Sequence, residues 1–233
     1  MNLLVLNGSP NRDQGNTHKF LQPFVAEAQK LGAEVETHYV ADLNVQPCRG
    51  CYTCWKTRGD CVIEDDMRWL LPKIGAADVL VLGVPLYVFH MPAPMKAVID
   101  RILPLASPQI EVVDGQCRHL AREGCEGAMI GSILLVSVCG FWEVEHFDVL
   151  AAWTETLCRT SDARFAGKLL RPHAYAYAAM PGIVPAKSKV VHALRQAARE
   201  LIQEGRVSAD SEAAVATPLM SQEAYLKAAN KSW

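Results

Sequence analysis

Cys48, Cys51, Cys54 and Cys61 place four thiols within fourteen residues of a 233-residue chain, spaced Cys-x2-Cys-x2-Cys-x6-Cys. Closely spaced thiolates suit soft metals, and structural zinc more often takes two Cys-x2-Cys pairs separated by a longer spacer. The run therefore points to a [4Fe–4S] cluster ahead of zinc. Gly50 and Gly59 let the backbone fold tightly around whatever the sulfurs hold. The other cysteines, Cys117, Cys125, Cys139 and Cys158, are scattered, and Cys139 and Cys158 read as small buried hydrophobes.

A second chemistry-bearing stretch runs from Asn7 to Thr17, between the apolar run Leu3–Leu6 and an amphipathic segment from His18 to Leu31. A strand, a loop rich in Gly, Ser, Asn and Thr, and then a helix aim unpaired N–H groups and a positive dipole end at one spot. An anion belongs there, and phosphate is the usual guest. Nucleotide triphosphate loops need Gly-x4-Gly-Lys-Ser/Thr, but Asn16 stands at the lysine's place and the glycines lie further apart. The Gly-x-Gly-x-x-Gly spacing of dinucleotide loops is absent too. A monophosphate cradle of Ser9, Asn11, Asn16, Thr17 and backbone N–H groups is what these residues can build. The competing reading is an ordinary turn with Asn16 or Thr17 as N-cap.

Two later loops suit a flat ring system. Pro85, Leu86, Tyr87 and Val88 begin the segment that reaches Pro92, combining a rigid start, an aromatic ring and apolar groups. Cys139 and Gly140 stand in the segment Ser137–Trp142, where Gly140 permits close backbone approach. Tyr87 and Trp142 taken singly read as packing residues. A monophosphate site beside two ring-contacting loops describes FMN better than a dinucleotide. His90 and His119 are the histidines nearest these loops, and neither is assigned a catalytic role.

The elements that must position these residues alternate between strand and helix, which predicts a doubly wound parallel sheet with helices on both faces. Leu3–Leu6, Val79–Val84 and Ile130–Val138 are continuous apolar runs, as strands buried on both faces require. Val35–Tyr39 and His173–Tyr177 alternate and are expected as edge strands. Five strands with those burial patterns predict the flavodoxin-like α/β order 2-1-3-4-5, with ligands at the carboxyl ends. Helices are expected at His18–Leu31, from Asp65 or Asp66 to Gly75, and at about Pro94–Leu103, Glu143–Arg159 and Lys187–Glu204. Pro104–Gly127 is expected as an irregular excursion, a lid or an oligomer contact. Residues 1–205 read as one FMN-binding domain carrying the cysteine motif at 48–61. Residues 206–233 read as an extension, a polar tether ending in an apolar anchor with Leu219, Tyr225, Leu226 and Trp233.

Half the residues are hydrophobic and 21% are charged, so a sizeable core is available. A formal net charge of -2 without a basic stripe argues against nucleic acid as a partner. A strand beginning at Asn2 and no apolar run of about 18 residues lead to the expectation of a cytoplasmic protein without a membrane span, with its cysteines as thiols or metal ligands.

Gly8-Ser9-Pro10 with Gly15-Asn16-Thr17, the cysteine run, Asp65-Asp66-Met67, Pro85-Leu86-Tyr87, and Lys96 with Asp100-Arg101 together resemble the NADPH-dependent FMN reductase branch of the flavodoxin-like proteins. Within that branch the sequence is most similar to the iron–sulfur flavoproteins, over about residues 1–205 and most sharply to Arg101. One departure is four residues between Pro10 and Gly15, with Asn11 where arginine is usual. The resemblance implies non-covalent FMN, redox chemistry, and a homodimer or homotetramer. NAD(P)H would bind transiently as donor, and the partner would be a small molecule or another redox protein. Nicotinamide delivers electrons in pairs and clusters move them singly; flavin beside cluster converts between the two. The expected function is an FMN-dependent oxidoreductase, either an iron–sulfur electron carrier or an NAD(P)H-dependent reductase of flavin- or quinone-type acceptors. The alternative is a non-enzymatic zinc-binding or structural protein using the same cysteines.

Overall fold

A computed structural model describes residues 1–57, 59–122, 130–179 and 184–232. Its centre is a five-stranded parallel sheet made of β1 (Asn2–Asn7), β2 (Glu34–Tyr39), β3 (Val79–Pro85), β6 (Ser132–Val138) and β7 (Arg164–Arg171), in the order β2-β1-β3-β6-β7. Counting parallel strands alone, that is the expected 2-1-3-4-5. The three apolar runs became the buried strands β1, β3 and β6, while β2 lies at one edge with every residue exposed or half-buried.

Successive side chains of a strand point to opposite faces, so each buried strand feeds two cores. On one face Leu3, Val5, Val81 and Val136 pack under α1 (Asn16–Lys30) and α7 (Val184–Glu204). On the other, Leu4, Leu6, Leu82 and Leu135 pack under α3 (Met67–Ala76), α4 (Ala93–Asp100) and α5 (Asp148–Ser161). The cysteine segment carries the short α2 (Thr53–Lys56).

Three expectations need correction. The fifth parallel strand is Arg164–Arg171, not His173–Tyr177; the latter stretch enters α6 (Ala174–Ala179). Arginines at both ends and a glycine inside hide the true strand. Gly167 takes φ +119 where the β6–β7 register shifts, and Arg171 is wholly buried on backbone carbonyls. Residues 104–122 are not irregular: β4 (Ala106–Val113) and β5 (Gln116–Ala121) form an antiparallel hairpin. Asp114 and Gly115 turn it with φ of 52° and 76°, the backbone a two-residue hairpin turn needs.

The C-terminal stretch is no tether either. α8 (Ala209–Ala216), capped by Ser208, and α9 (Gln222–Ala229), capped by Ser221, dock on their own subunit. The Val207 N–H donates to the Ala166 carbonyl and the Lys168 N–H to Glu212 Oε1, which covers the backbone edge of β7 that would otherwise be free to pair with another chain. Leu219 and Tyr225 are buried as the anchor; Cys125 and Trp233 lie outside the described residues. Among the described residues, no helix is long and apolar enough to cross a membrane.

Candidate functional site

The first loop leaves the carboxyl end of β1 and winds one 3-10 turn over Arg12–Gln14 before α1 begins. Arg12 sits at φ 51° and pairs outward with Asp42. That left-handed residue takes up the extra length between Pro10 and Gly15 and carries Arg12 away from the loop's interior. Ser9 is buried; its Oγ accepts from the Asn11 N–H at 3.3 Å and its N–H donates to Asn7 Oδ1 at 3.0 Å. Asn11 is exposed and Asn16 half-buried at the first position of α1.

No side chain caps α1, so the N–H groups of its first turn and the positive end of its dipole face the loop. Thr17 is completely buried, yet its hydroxyl has no partner among the described residues, and neither has the amide nitrogen of buried Asn7. Both residues flank Gly83. Asn7 lies opposite Gly83 on β3, and a Cβ on Gly83 would sit 3.3 Å from the Thr17 methyl. An unsatisfied buried polar group costs about 1–3 kcal/mol, so two of them beside an uncapped helix start call for an acceptor from outside the chain. A phosphate monoester supplies one. Gly15 is needed for close approach, since a Cβ there would fall 2.1 Å from Ser9 Oγ.

Pro85 ends β3 and Leu86 is tied to β6 by its N–H on the Val138 carbonyl, so the next loop starts from a fixed point. Tyr87 and His90 then exchange backbone hydrogen bonds around Val88 and Phe89, both with positive φ (48° and 63°). A β-branched residue in left-handed backbone is a genuine outlier, and Val88 is 92% exposed at its tip. Tyr87, Phe89 and Phe141 are exposed beside it, with Phe89 and Phe141 stacked 5.9 Å apart and His146 against both. This apolar rim stands at the carboxyl ends of β3 and β6, where open parallel sheets bind ligands.

Gly140 is exposed, and a Cβ on it would reach the exposed Tyr175 ring at 2.7 Å. Cys139 is buried, its N–H held by Arg171 and its carbonyl by Ala174, and burial pushes its thiol up to about 11. Trp142 stacks on His173 at 4.5 Å against the core. The structure thus gathers Ser9, Asn16 and Thr17 at the loop, and Pro85–Val88 with Cys139 and Gly140 at neighbouring strand ends.

Cys48, Cys51, Cys54 and Cys61 all line one cavity of about 30 Å³, together with Arg101. Gly50 (φ 63°), Tyr52 (φ 55°) and Gly59 (φ 114°) bend the loop around it. Among the described residues no three His, Cys, Asp or Glu side chains stand at metal-ligating positions, so the thiols share a cavity without being drawn together. In donor chemistry they fit a cluster. Arg122, following β5, donates to the carbonyls of Cys54, Pro104 and Ala106, and Trp55 meets His119 at 5.0 Å, so the hairpin braces this loop. No sequence pattern marks Arg122; Asn7, a polar residue closing an apolar strand, is a signal that could have been read.

Beneath the cavity Arg101 and Asp65 form a bidentate pair at 2.8 and 3.0 Å, side chains 3% and 1% exposed. Arg101 also donates to the Gln46 carbonyl, and Asp65 accepts the Gln46 and Met67 N–H groups. Burial pushes the Asp65 carboxyl up, but the Arg101 fork and those N–H groups outweigh it and hold it below its ordinary value. With the folded value lowered, the stability is present at neutral pH and is lost as pH falls below the usual carboxylate range. Lysine cannot span both carboxylate oxygens and Gln46, so Arg101→Lys is expected to cost about 1–3 kcal/mol in urea unfolding and to speed tryptic cleavage at Arg49.

Residues 1–111 match the family model described as NADPH-dependent FMN reductase. An iron–sulfur flavoprotein of Archaeoglobus fulgidus is 40% identical over 101 residues, 43% of this chain and 48% of the relative, so the chain spans about half the length of that relative. Among solved structures, an FMN-dependent NADH-azoreductase from Bacillus anthracis in complex with FMN superposes with a TM-score of 0.63 at 16% identity, covering 86% of this chain and 98% of that one. An NAD(P)H:quinone oxidoreductase from Methanothermobacter marburgensis gives 0.60 at 18% identity, covering 86% and 96%. At those identities the likeness shows the flavodoxin-like fold.

Proposed function

We propose that this chain, whose first 111 residues match the NADPH-dependent FMN reductase family, is an FMN-dependent oxidoreductase that takes electrons from a nicotinamide or a redox protein and passes them to a small quinone-type acceptor. The observation that carries the reading is the pair of buried, unpartnered groups, Thr17 Oγ1 and Asn7 Nδ2, at the uncapped start of α1. Ser9, Asn16 and Thr17 would hold the phosphate with the first-turn N–H groups of α1, and Asn11 would flank it. Pro85–Val88 and Cys139–Gly140 would hold the ring, and the exposed rim of Tyr87, Val88, Phe89 and Phe141 would shield it from water. Bound FMN supplies hydride acceptance and electron release, which removes the need for an acid–base pair of side chains. Cys139, its thiol pushed up by burial, stays protonated and contributes shape.

In the same reading Cys48, Cys51, Cys54 and Cys61 hold a [4Fe–4S] cluster. Their shared cavity and the similarity to an iron–sulfur flavoprotein support this. A homodimer or homotetramer that covers the apolar rim, in the reducing cytoplasm where free thiols persist, accords with both.

The test is anaerobic purification with FMN loading, followed by a visible spectrum and assays of iron, zinc and flavin. Stoichiometric flavin and about four irons per chain, with iron lost in Cys54→Ser and flavin retained, is the expected result. No flavin bands would overturn the oxidoreductase reading, and zinc without iron would overturn the cluster.

A further inference from the structure

Away from the strand ends, α4, α5 and the hairpin strand β5 enclose a pocket of about 460 Å³, a size that accommodates a small organic ligand. Ile99, Ile102, Leu105, Trp153 and Leu157 give it apolar walls. Arg118 also lines it. One guanidinium nitrogen, Nη1, lies 3.4 Å from the Arg159 carbonyl and 3.3 Å from Asp162 Oδ1, but Nε is buried with no acceptor among the described residues. Lys96, the other cation of the wall, is already paired with Asp100. Asp162, itself mostly exposed, pairs with Nη1, and an anionic oxygen on a ligand in the pocket would give the guanidinium a second charge-assisted partner.

We propose that this pocket binds a flat aromatic compound bearing one anionic group, its rings against Trp153 and Leu157 and its anion on Arg118. The position gives the ligand a neighbour. Asp100 and Leu103 line both this pocket and the four-cysteine cavity, and the strand that forms one wall grips the cysteine loop through His119 and through Arg122 just after it. An occupant would sit one wall of side chains from the thiols. The assignment rests on the pocket itself and stands whether or not the chain binds FMN.

The probe is anilinonaphthalene sulfonate, a flat aromatic anion, titrated into the full chain with and without FMN. One saturable site per chain is expected, with quenching of tryptophan emission. Arg118→Gln should weaken it about tenfold, the loss of one charge-assisted hydrogen bond, and Arg118→Lys should weaken it less. Leu157→Trp, which fills the pocket, should abolish binding. The uncharged phenylnaphthylamine should be indifferent to Arg118→Gln, and FMN affinity should be unchanged in all three variants. Binding insensitive to Arg118→Gln and Leu157→Trp, a set of weak unsaturable sites, or no binding in a chain whose oligomer covers this face would each overturn the proposal. Failure of the wild-type chain to bind FMN would sink the flavin reading and leave this result standing.

Discussion

Replacing Gly15 with alanine is expected to weaken FMN binding by about tenfold to a hundredfold, read from quenching of flavin fluorescence on titration. Gly15 has φ −70° and ψ 151°, a backbone that alanine accepts, so the effect comes from space alone. The added Cβ would lie 2.1 Å from Ser9 Oγ, 2.9 Å from Ser9 Cβ and 3.1 Å from the Arg12 carbonyl. Ser9 can relieve the first clash by rotating, at the loss of the bond its Oγ accepts from Asn11. It cannot relieve the other two without shifting the loop. Overpacking of this kind costs about 1–3 kcal/mol, and each ~1.4 kcal/mol borne by the bound state is a factor of ten in affinity. The double variant Ser9→Gly with Gly15→Ala removes both Ser9 atoms. Its unfolding midpoint should recover while its FMN affinity stays low, because the Ser9 hydroxyl is gone. Recovery of both would remove Ser9 from the phosphate site, and unchanged affinity in Gly15→Ala alone would place the phosphate elsewhere.

What the sequence made legible followed from local rules. Leu3–Leu6, Val79–Val84 and Ile130–Val138 could be assigned as buried parallel strands because apolar residues on both faces have no other use in an α/β pattern. The first loop was visible as a Gly, Ser and Asn segment between strand and helix, and the cysteines by spacing. Hidden were features whose partners are distant in sequence. Arg164–Arg171 does not look like a buried strand until the carbonyls of residues 215–217 arrive to satisfy Arg171. His173–Tyr177 has perfect strand alternation but follows a turn in which His173 adopts φ 43°, and the chain goes helical instead. The hairpin at 106–121 did carry a local signal, Asp114-Gly115, between stretches too polar to suggest strands. The orphaned state of Thr17 Oγ1 is a matter of packing, and no pattern of residue types reports it.

Arg171→Met is expected to destabilise the fold by about 3–5 kcal/mol and to release the C-terminal helices α8 and α9. The Arg171 guanidinium is wholly buried with no carboxylate partner among the described residues; it donates to the carbonyls of Pro172, Val215, Ala216 and Thr217 at 2.8–3.0 Å. Burial lowers it to about 10, so it stays charged at neutral pH, and methionine would fill its volume while leaving those acceptors bare. For a chain of this size the loss corresponds to a midpoint lower by about 6–20 °C, and hydrogen exchange should rise first over residues 207–229. Arg171 also governs His173, whose Nε2 lies 3.1 Å from its Nη2 and accepts the Leu219 N–H. Burial first, and the Arg171 charge second, push His173 down to about 3. Because the folded value lies below the unfolded one, the unfolded chain binds a proton that the folded chain refuses as pH drops from 6.5 toward 3. Over that window this group should erode stability by about 1.4 kcal/mol per pH unit. With Arg171→Met the cation is gone while burial remains, so His173 protonates at a somewhat higher pH and the slope should flatten first at the acid end of that window. His173→Phe should flatten it in the wild-type background too. A slope unchanged by both variants would assign the acid sensitivity to the carboxylates, Asp65 foremost, and leave His173 as a packing residue beneath Trp142.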